Sequence, residues 1–172
     1  TLEWNGRTWQ GDDIDEKWAA HLHGFSWLRN LRATGGDIAR QKGRELIEDW
    51  ITLYRSWNPE VWDTSLAGER VAAWISHYDF FVSSTNSFYQ EKFFDSLVRQ
   101  CRHLSRALPN NSQGLDSFKG IKGLIYAGLA IEGQKNWLSQ GLNLLTDELE
   151  KQILFDGGHV SRSPETLVHV LQ

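Results

Sequence analysis

The chain of 172 residues carries 22 Asp and Glu against 18 Lys and Arg, a formal net charge of -4. It is long enough for one compact domain with a real core, and no basic stripe offsets its acidic balance, which argues against a nucleic-acid partner. No apolar run approaches the ~20 residues that a membrane span requires.

In chain order, residues 1–11, with Gly6 and Gly11 around Trp4 and Trp9, read as an extended lead-in. A first helix is predicted from about Asp13 to Ala33, with Trp18, Leu22, Phe25, Leu28 and Leu31 at helical spacing and Gly35-Gly36 as its stop. A second runs from about Asp37 to Trp57, with Ile38, Leu46, Trp50 and Leu53 on one face. Asn58-Pro59 ends it, because the residue before a proline disfavours the helical region. A third spans roughly Ser65 to Val82, followed by a Ser83–Asn86 linker with N-cap candidates. A fourth reaches about Leu108, before Pro109-Asn110-Asn111. A fifth covers Leu115 to Ala130, closed by Gly133. A sixth covers Asn136 to Ile153, with Leu142, Leu145, Leu149 and Ile153 as its stripe, and a seventh begins near Pro164.

No strand pattern interrupts this series. Helices of nearly equal length with short links predict an all-α fold of antiparallel helical hairpins, a toroid or solenoid without an exact short repeat. The last helix stops soon after it starts, and the chain opens Thr1-Leu2-Glu3 with no Met. Residues 1–172 are therefore expected to form a single α-helical domain belonging to a longer protein. Nine Trp, eight Phe and four Tyr bury large areas, so most belong to the core; exposed Trp and Tyr also stack on the C–H faces of sugars. The lone Cys101 shares a helical face with Leu97 and Leu104 and reads as a buried structural thiol, with His103 turned away from it.

Chemistry-bearing residues gather in three places. His23 and Trp27, one turn apart, read either as a ligand-facing histidine with a stacking platform or as a capped or surface histidine beside a core Trp. Asn58-Pro59-Glu60-Val61-Trp62-Asp63 precedes Arg70, Trp74, His77 and Tyr78 at helical spacing. An Arg beside aromatics can grip a carboxylate bidentately; an Arg70–Asp63 salt bridge pinning the loop fits equally well. The third place is Asp156-Gly157-Gly158-His159-Val160-Ser161-Arg162-Ser163-Pro164. It breaks a helical run with two glycines and reads as a rigid turn that aims polar groups at a ligand, anionic by its His and Arg. The same turn also reads as a purely folding device, with Gly157 or Gly158 at positive φ and Asp156 paired to Arg162. One His with one Asp does not make a zinc site. There is no Gly-rich phosphate loop and no Ser nucleophile elbow, and neither metal nor cofactor is expected. Glu148 and Glu150 read as a solvated face.

Together these blocks resemble a known family. Asp156-Gly157-Gly158-His159-x-x-Arg162-Ser163-Pro164, after a helix ending Leu149-Glu150-x-Gln152-Ile153-Leu154, is similar to the Q-I-L-P-D-G-G-H-x-E-R-S-P signature of the heparinase II/III-like polysaccharide lyases. Trp18-x-x-x-Leu22-His23-x-Phe25-x-Trp27-Leu28-x-Asn30-Leu31 resembles the family's early L-H-x-F-x-Y-L-x-D-L helix. Asn58-Pro59, Trp62, Arg70 and Trp74-Ile75 resemble its N-P…W…S-L-R-I-x-N-W-I segment, and Lys122-Gly123-Leu124-Ile125-Tyr126-Ala127-Gly128-Leu129 its A-K-A-L-L-F-A-G-L helix. The ordered blocks cover nearly the whole chain.

The resemblance implies part of an (α/α) toroid, without the family's C-terminal β-sandwich domain. It implies an acidic polysaccharide or oligosaccharide as partner, and β-elimination at a uronic acid as the reaction. There an Asn or His neutralises the carboxylate, a Tyr or His removes the C5 proton, and an acid serves the leaving oxygen. Tyr, with an ordinary pKa near ~10, needs a suitable electrostatic setting to act as a base. The resemblance puts His23, Trp27, Trp62, Arg70, Trp74, His159 and Arg162 on the substrate side, with His159 the candidate catalytic residue. It departs where the chemistry sits. The family's S-P-x-Y-H reads Ser163-Pro164-Glu165-Thr166-Leu167 here, and its G-N-H element falls at Gly114-Leu115-Asp116. A shifted alignment would offer Asn110 or Asn111 as neutraliser. Both a lyase and a degenerate relative that binds acidic glycan without cleaving it fit these residues. The family's lyases are often periplasmic; the sequence itself assigns neither a periplasmic nor a cytoplasmic setting.

Overall fold

The computed structural model describes residue 9 and residues 16–111 and 114–171. Most of the expected lead-in lies outside these residues; Trp9 is buried in the core. The described helices are α1 (Glu16–His23), α2 (Leu28–Thr34), α3 (Gly36–Leu53), α4 (Thr64–Ser76), α5 (Tyr78–Phe81), α6 (Ser87–Asn111), α7 (Leu115–Ala130), α8 (Lys135–Gln152) and α9 (Pro164–Leu171). No strand occurs among the described residues, and one isolated antiparallel bridge joins Ile153 to His159.

The helices form two layers. Residue pairing along α3 and α6 advances together: Arg44 with Tyr89, Glu48 with Lys92, Arg55 with Arg99. These outer helices are therefore parallel. On the inner layer Ser65 meets Asp116 and Glu69 meets Lys119, so α4 and α7 are parallel too. Arg70 meets Gln100 while His103 meets Trp62, which sets α6 antiparallel to α4. Gln152 reaches Gly114 and Gly141 packs on Ile125, which sets α8 antiparallel to α7. The outer helices α6 and α8 thus run antiparallel to the inner helices α4 and α7, the all-α toroid arrangement.

The inner layer depends on glycine. A Cβ on Gly68 would lie 2.2 Å from the Lys119 carbonyl oxygen, and one on Gly123 2.5 Å from the Gly68 Cα. The α4 and α7 backbones touch there, and no side chain fits between them. Between the layers, Phe93, Leu97, Cys101, Leu104 and Leu108 line the buried face of α6. Burial raises the Cys101 thiol to about 12, as befits a structural thiol.

Several boundaries differ from the sequence expectation for identifiable reasons. The first expected helix is broken between α1 and α2, where Phe25 adopts φ 60. A left-handed phenylalanine costs on the order of 1–2 kcal/mol, which its buried ring offsets by packing on Trp9, Trp27, Trp50 and Trp74. The buried face of α3 is Ala39, Gly43, Leu46, Ile47, Trp50 and Ile51. Ile38, expected on that face, is 87% exposed, and Leu53 is exposed as well. The α4 helix starts at an Asp63 cap, whose Oδ1 accepts from the Ser65 and Leu66 amides. It ends at Ser76, so the expected third helix is two pieces. The α6 helix passes through Pro109 to Asn111 instead of stopping at Leu108. Proline cannot donate to the Ser105 carbonyl one turn back, and the Gln140 side chain donates to it instead at 2.6 Å.

The Gly68→Ala substitution forces α4 and α7 apart and is expected to destabilise the fold by about 1–3 kcal/mol or more. Urea unfolding followed by circular dichroism measures it; an unchanged midpoint would contradict the close-approach account.

Candidate functional site

The turn between α8 and α9 is closed by its own backbone. Leu154 N donates to Gly158 O, Gly157 N to Leu154 O, Val160 N to Gln152 O and Arg162 N to His159 O, each at 2.8 Å. Gly157 sits at φ 80, as expected for a glycine turn, and Arg162 at φ 54. The Asp156 carboxylate accepts from the Gly158 amide at 2.9 Å and from Arg162 NH1 at 2.7 Å. Those contacts, the Gly158 amide first, hold the Asp156 carboxyl below the usual carboxylate range.

His159 is buried against the end of α8. Its Nε2 donates to Gln152 Oε1 at 3.0 Å, and its Nδ1 accepts from the Ser161 amide at 3.0 Å with the Ser161 hydroxyl 2.8 Å away. Both ring nitrogens are engaged, which fixes the orientation of the imidazole in the turn. Gln152 also donates to the Gly114 carbonyl at 2.9 Å and to the Glu148 carboxylate. Glu148, expected on a solvated face, is instead 3% exposed. One turn before Gln152, it is packed away from solvent beside that side chain, and Lys151 lies 3.4 Å from it. Sequence reasoning gave no role to Gln152, Glu148 or Ser161, which clamp the turn onto the α7 start.

That clamp joins the two places where the chain departs from the lyase pattern. Asp116 opens α7 and is exposed; its carboxylate accepts from the Ser65 hydroxyl at 3.3 Å and pairs with Lys119 at 3.5 Å. Thr166 stands in the first turn of α9, where its amide donates to Ser163 Oγ at 3.4 Å. The α9 helix packs against α7, so the N-termini of α4, α7 and α9 lie at one end of the inner layer. The side chains of Leu115 and Asn111 lie outside the described residues, and Asn110 is exposed at the α6 end.

The remaining candidates group elsewhere. Arg70 is wholly buried. Its Nε donates to Gln100 Oε1 at 2.6 Å, its NH1 to the carbonyls of His23 and Val61 at 2.9 and 3.1 Å, and its carbon centre lies 4.1 Å over the Trp50 ring. The Arg70–Asp63 salt bridge does not form, because Asp63 caps α4. Burial pulls Arg70 down to about 9, still charged at neutral pH. His23 accepts from Trp50 Nε1 at 3.3 Å on its Nδ1 and lies between Trp9 and Tyr54. Burial, then the nearby Arg70, lowers it to about 4. Trp74 and Trp62 are buried, the latter edge-on to His103, whose Nε2 donates to the Trp62 carbonyl at 2.7 Å. Trp27 is half-buried, with its Nε1 donating to Leu22 O at 3.0 Å.

The structure therefore brings His159 and Arg162 together at the α8–α9 turn and gathers His23, Trp62, Arg70 and Trp74 around the buried side of α4. As placed, Arg70 and Trp74 present no surface to a ligand; only Arg162 among these candidates is exposed, at 66% of its side chain. Among the described residues no group of three or more His, Cys, Asp or Glu is placed to hold a metal ion.

A family model for the heparinase II/III N-terminus matches residues 2–170. The chain belongs to the heparinase II/III N-terminal family. It is also 31% identical over 169 residues to FtsZ-localized protein C of Caulobacter vibrioides, covering 94% of this chain and 28% of that protein. The crystal structure of heparinase III superposes with a TM-score of 0.79 at 20% identity, covering 97% of this chain and 27% of that one. A second heparinase III, with methylated lysines, superposes with a TM-score of 0.69 at 19% identity, over 97% of this chain and 32% of that one. These superpositions establish the toroid fold. The chain spans about a third or less of the length of each relative.

Two measurements test the local accounts. Gln152→Ala leaves the buried His159 Nε2 without an acceptor and removes one donor each from the Gly114 carbonyl and the Glu148 carboxylate, at about 1–3 kcal/mol. Amide exchange across residues 153–163 is expected to accelerate while far-ultraviolet ellipticity stays close to wild type. For His23, the folded value of about 4 lies below the ordinary 6.5. Stability is then fully present above pH ~6.5 and falls toward pH ~4 as the unfolded chain takes up the proton first, by on the order of 2–3 kcal/mol. His23→Gln is expected to flatten that slope in pH-dependent denaturation.

Proposed function

We propose that this chain is the helical toroid part of a longer heparinase II/III-like protein and binds an acidic polysaccharide without cleaving it. The observation that carries the reading is that Thr166 and Asp116 stand at one end of the inner layer, at the positions where the family resemblance expects a Tyr base and an Asn or His neutraliser. β-Elimination moves the C5 proton to a base while the adjacent carboxylate is neutralised and the C4–O bond breaks. A threonine hydroxyl has no phenol acidity to serve as that base. The Asp116 carboxylate offers acceptor oxygens where the reaction needs a donor to neutralise the uronate carboxylate. His159 does not replace them, because its Nδ1 is occupied by the Ser161 amide and its Nε2 by Gln152.

Binding needs less. The exposed Arg162 guanidinium suits a carboxylate, and the positive ends of the inner helices favour negative charge nearby. The expected outcome is salt-sensitive binding to heparan sulfate or alginate by titration calorimetry, with no new ultraviolet absorbance from unsaturated uronates. Turnover of any uronate polymer refutes the non-cleaving reading, and absence of both binding and turnover refutes the glycan reading altogether.

A second reading draws on the 31% identity to FtsZ-localized protein C: the domain acts as a localisation module. Co-sedimentation with FtsZ polymers is its expected outcome, and a chain that stays in the supernatant argues against it.

A further inference from the structure

Phe155 is 105% exposed, at the tip of the α8–α9 turn. Among the described residues no ring or hydrophobic-core contact involves it. Other exposed aromatics, such as Phe88 and Trp57, lie on or just beyond the outer helices. Phe155 stands on the same turn as the exposed Arg162, at the end of the inner layer where the proposed glycan site lies. Its backbone is held on both sides: Leu154 N to Gly158 O and Gly157 N to Leu154 O at 2.8 Å, with the Asp156–Arg162 ion pair at 2.7 Å bracing the next residue. The entropy of ordering the turn is therefore spent on folding rather than on binding, which is how a preorganised site gains affinity.

Arg162 completes the arrangement. Its NH1 is committed to Asp156, while Nε and NH2 have no partner among the described residues. The left-handed φ of 54 at Arg162 costs on the order of 1 kcal/mol. The Arg162 amide bond to the His159 carbonyl at 2.8 Å holds it there. The turn thus carries an open apolar ring face and the unused part of a guanidinium fork within a few residues.

We infer that Phe155 is the platform on which this chain stacks one sugar ring of the acidic polysaccharide, with Arg162 binding the carboxylate of that ring or its neighbour. The inference rests on the glycan-binding reading and adds the residue that determines which ring faces are accepted. An apolar ring face takes the C–H side of a pyranose, and the adjacent cation selects a uronate over a neutral sugar.

The test compares the wild-type chain with Phe155→Ala and Phe155→Trp, titrated with alginate and heparan sulfate oligosaccharides and with neutral dextran. Phe155→Ala is expected to bind the uronate oligosaccharides at least about tenfold more weakly, as loss of one stacked ring predicts. Phe155→Trp is expected to bind as well as wild type or better, and dextran not to bind. Ellipticity and the unfolding midpoint are expected to stay unchanged in both variants, because the ring packs against no described residue of the core. Wild-type affinity in Phe155→Ala overturns the platform and leaves the glycan reading standing. Equal weakening by Phe155→Trp also overturns it, since the ring face would not be what counts. Self-association of the wild type that Phe155→Ala abolishes assigns the ring to a second copy and overturns it too. If the wild type binds no uronate oligosaccharide, the platform falls together with the glycan reading.

Discussion

Four described segments of this molecule are organised around a guanidinium that never meets water. Arg70 reaches out of α4 to the end of α1 through the His23 carbonyl, to the loop before α4 through the Val61 carbonyl, to α6 through Gln100, and to α3 through the face of Trp50. No described carboxylate pairs with it. Burying a lone charge is expensive, so its hydrogen-bond acceptors and the Trp50 ring have to stay where they are. The charge is retained by carbonyl and amide dipoles and by a π-face. Each belongs to a different segment, and the segments are thereby fixed relative to one another.

The consequence spreads to the neighbouring aromatics. The Trp50 ring lies under Arg70 and its Nε1 is committed to His23, so His23 is held neutral beside a cation. Phe25 is pulled into the same cluster at φ 60, which ends α1 and turns the chain into α2. The region that looked most like a ligand cleft is, in the fold, the hub of the core. The sequence signal was real but ambiguous. Arg70, Trp74 and His77 at helical spacing define a face. Helical period alone does not say whether that face meets solvent or another helix. The Gln100 amide that would have decided it lies 30 residues away, and periodicity carries no information about such a partner. The same blindness placed Ile38 in the core and Glu148 in water.

The second half was legible in a different way. Gly157, Asp156, Arg162 and Pro164 act on the backbone within a few residues of themselves, so a local reading finds a closed turn, an Asp–Arg pair and a helix start. The helix series was also legible, because apolar spacing persists over whole helices. What stayed hidden was the clamp. Gln152 looks like one more polar residue at the end of α8. Its side chain is nonetheless the common partner of Gly114, Glu148 and His159, and it carries the register of α8 against α7 into the turn.

This division of labour explains how the motif can identify the family without identifying a reaction. His159, Gln152 and Glu148 are buried, and removing any of them leaves donors or acceptors unpaired away from water. Thr166 uses only its backbone amide, and Asp116 is exposed with alternative partners in Ser65 and Lys119. The fold therefore constrains the first set and tolerates change in the second. A chain could carry Thr166 in place of a Tyr without disturbing the turn beside it, since no hydrogen bond among the described residues runs through that side chain. The His159–Arg162 turn is read most directly as the part of the toroid that holds α8, α7 and α9 in register. Any chemistry or binding at that end then depends on the exposed side chains mounted on it, foremost Phe155 and Arg162.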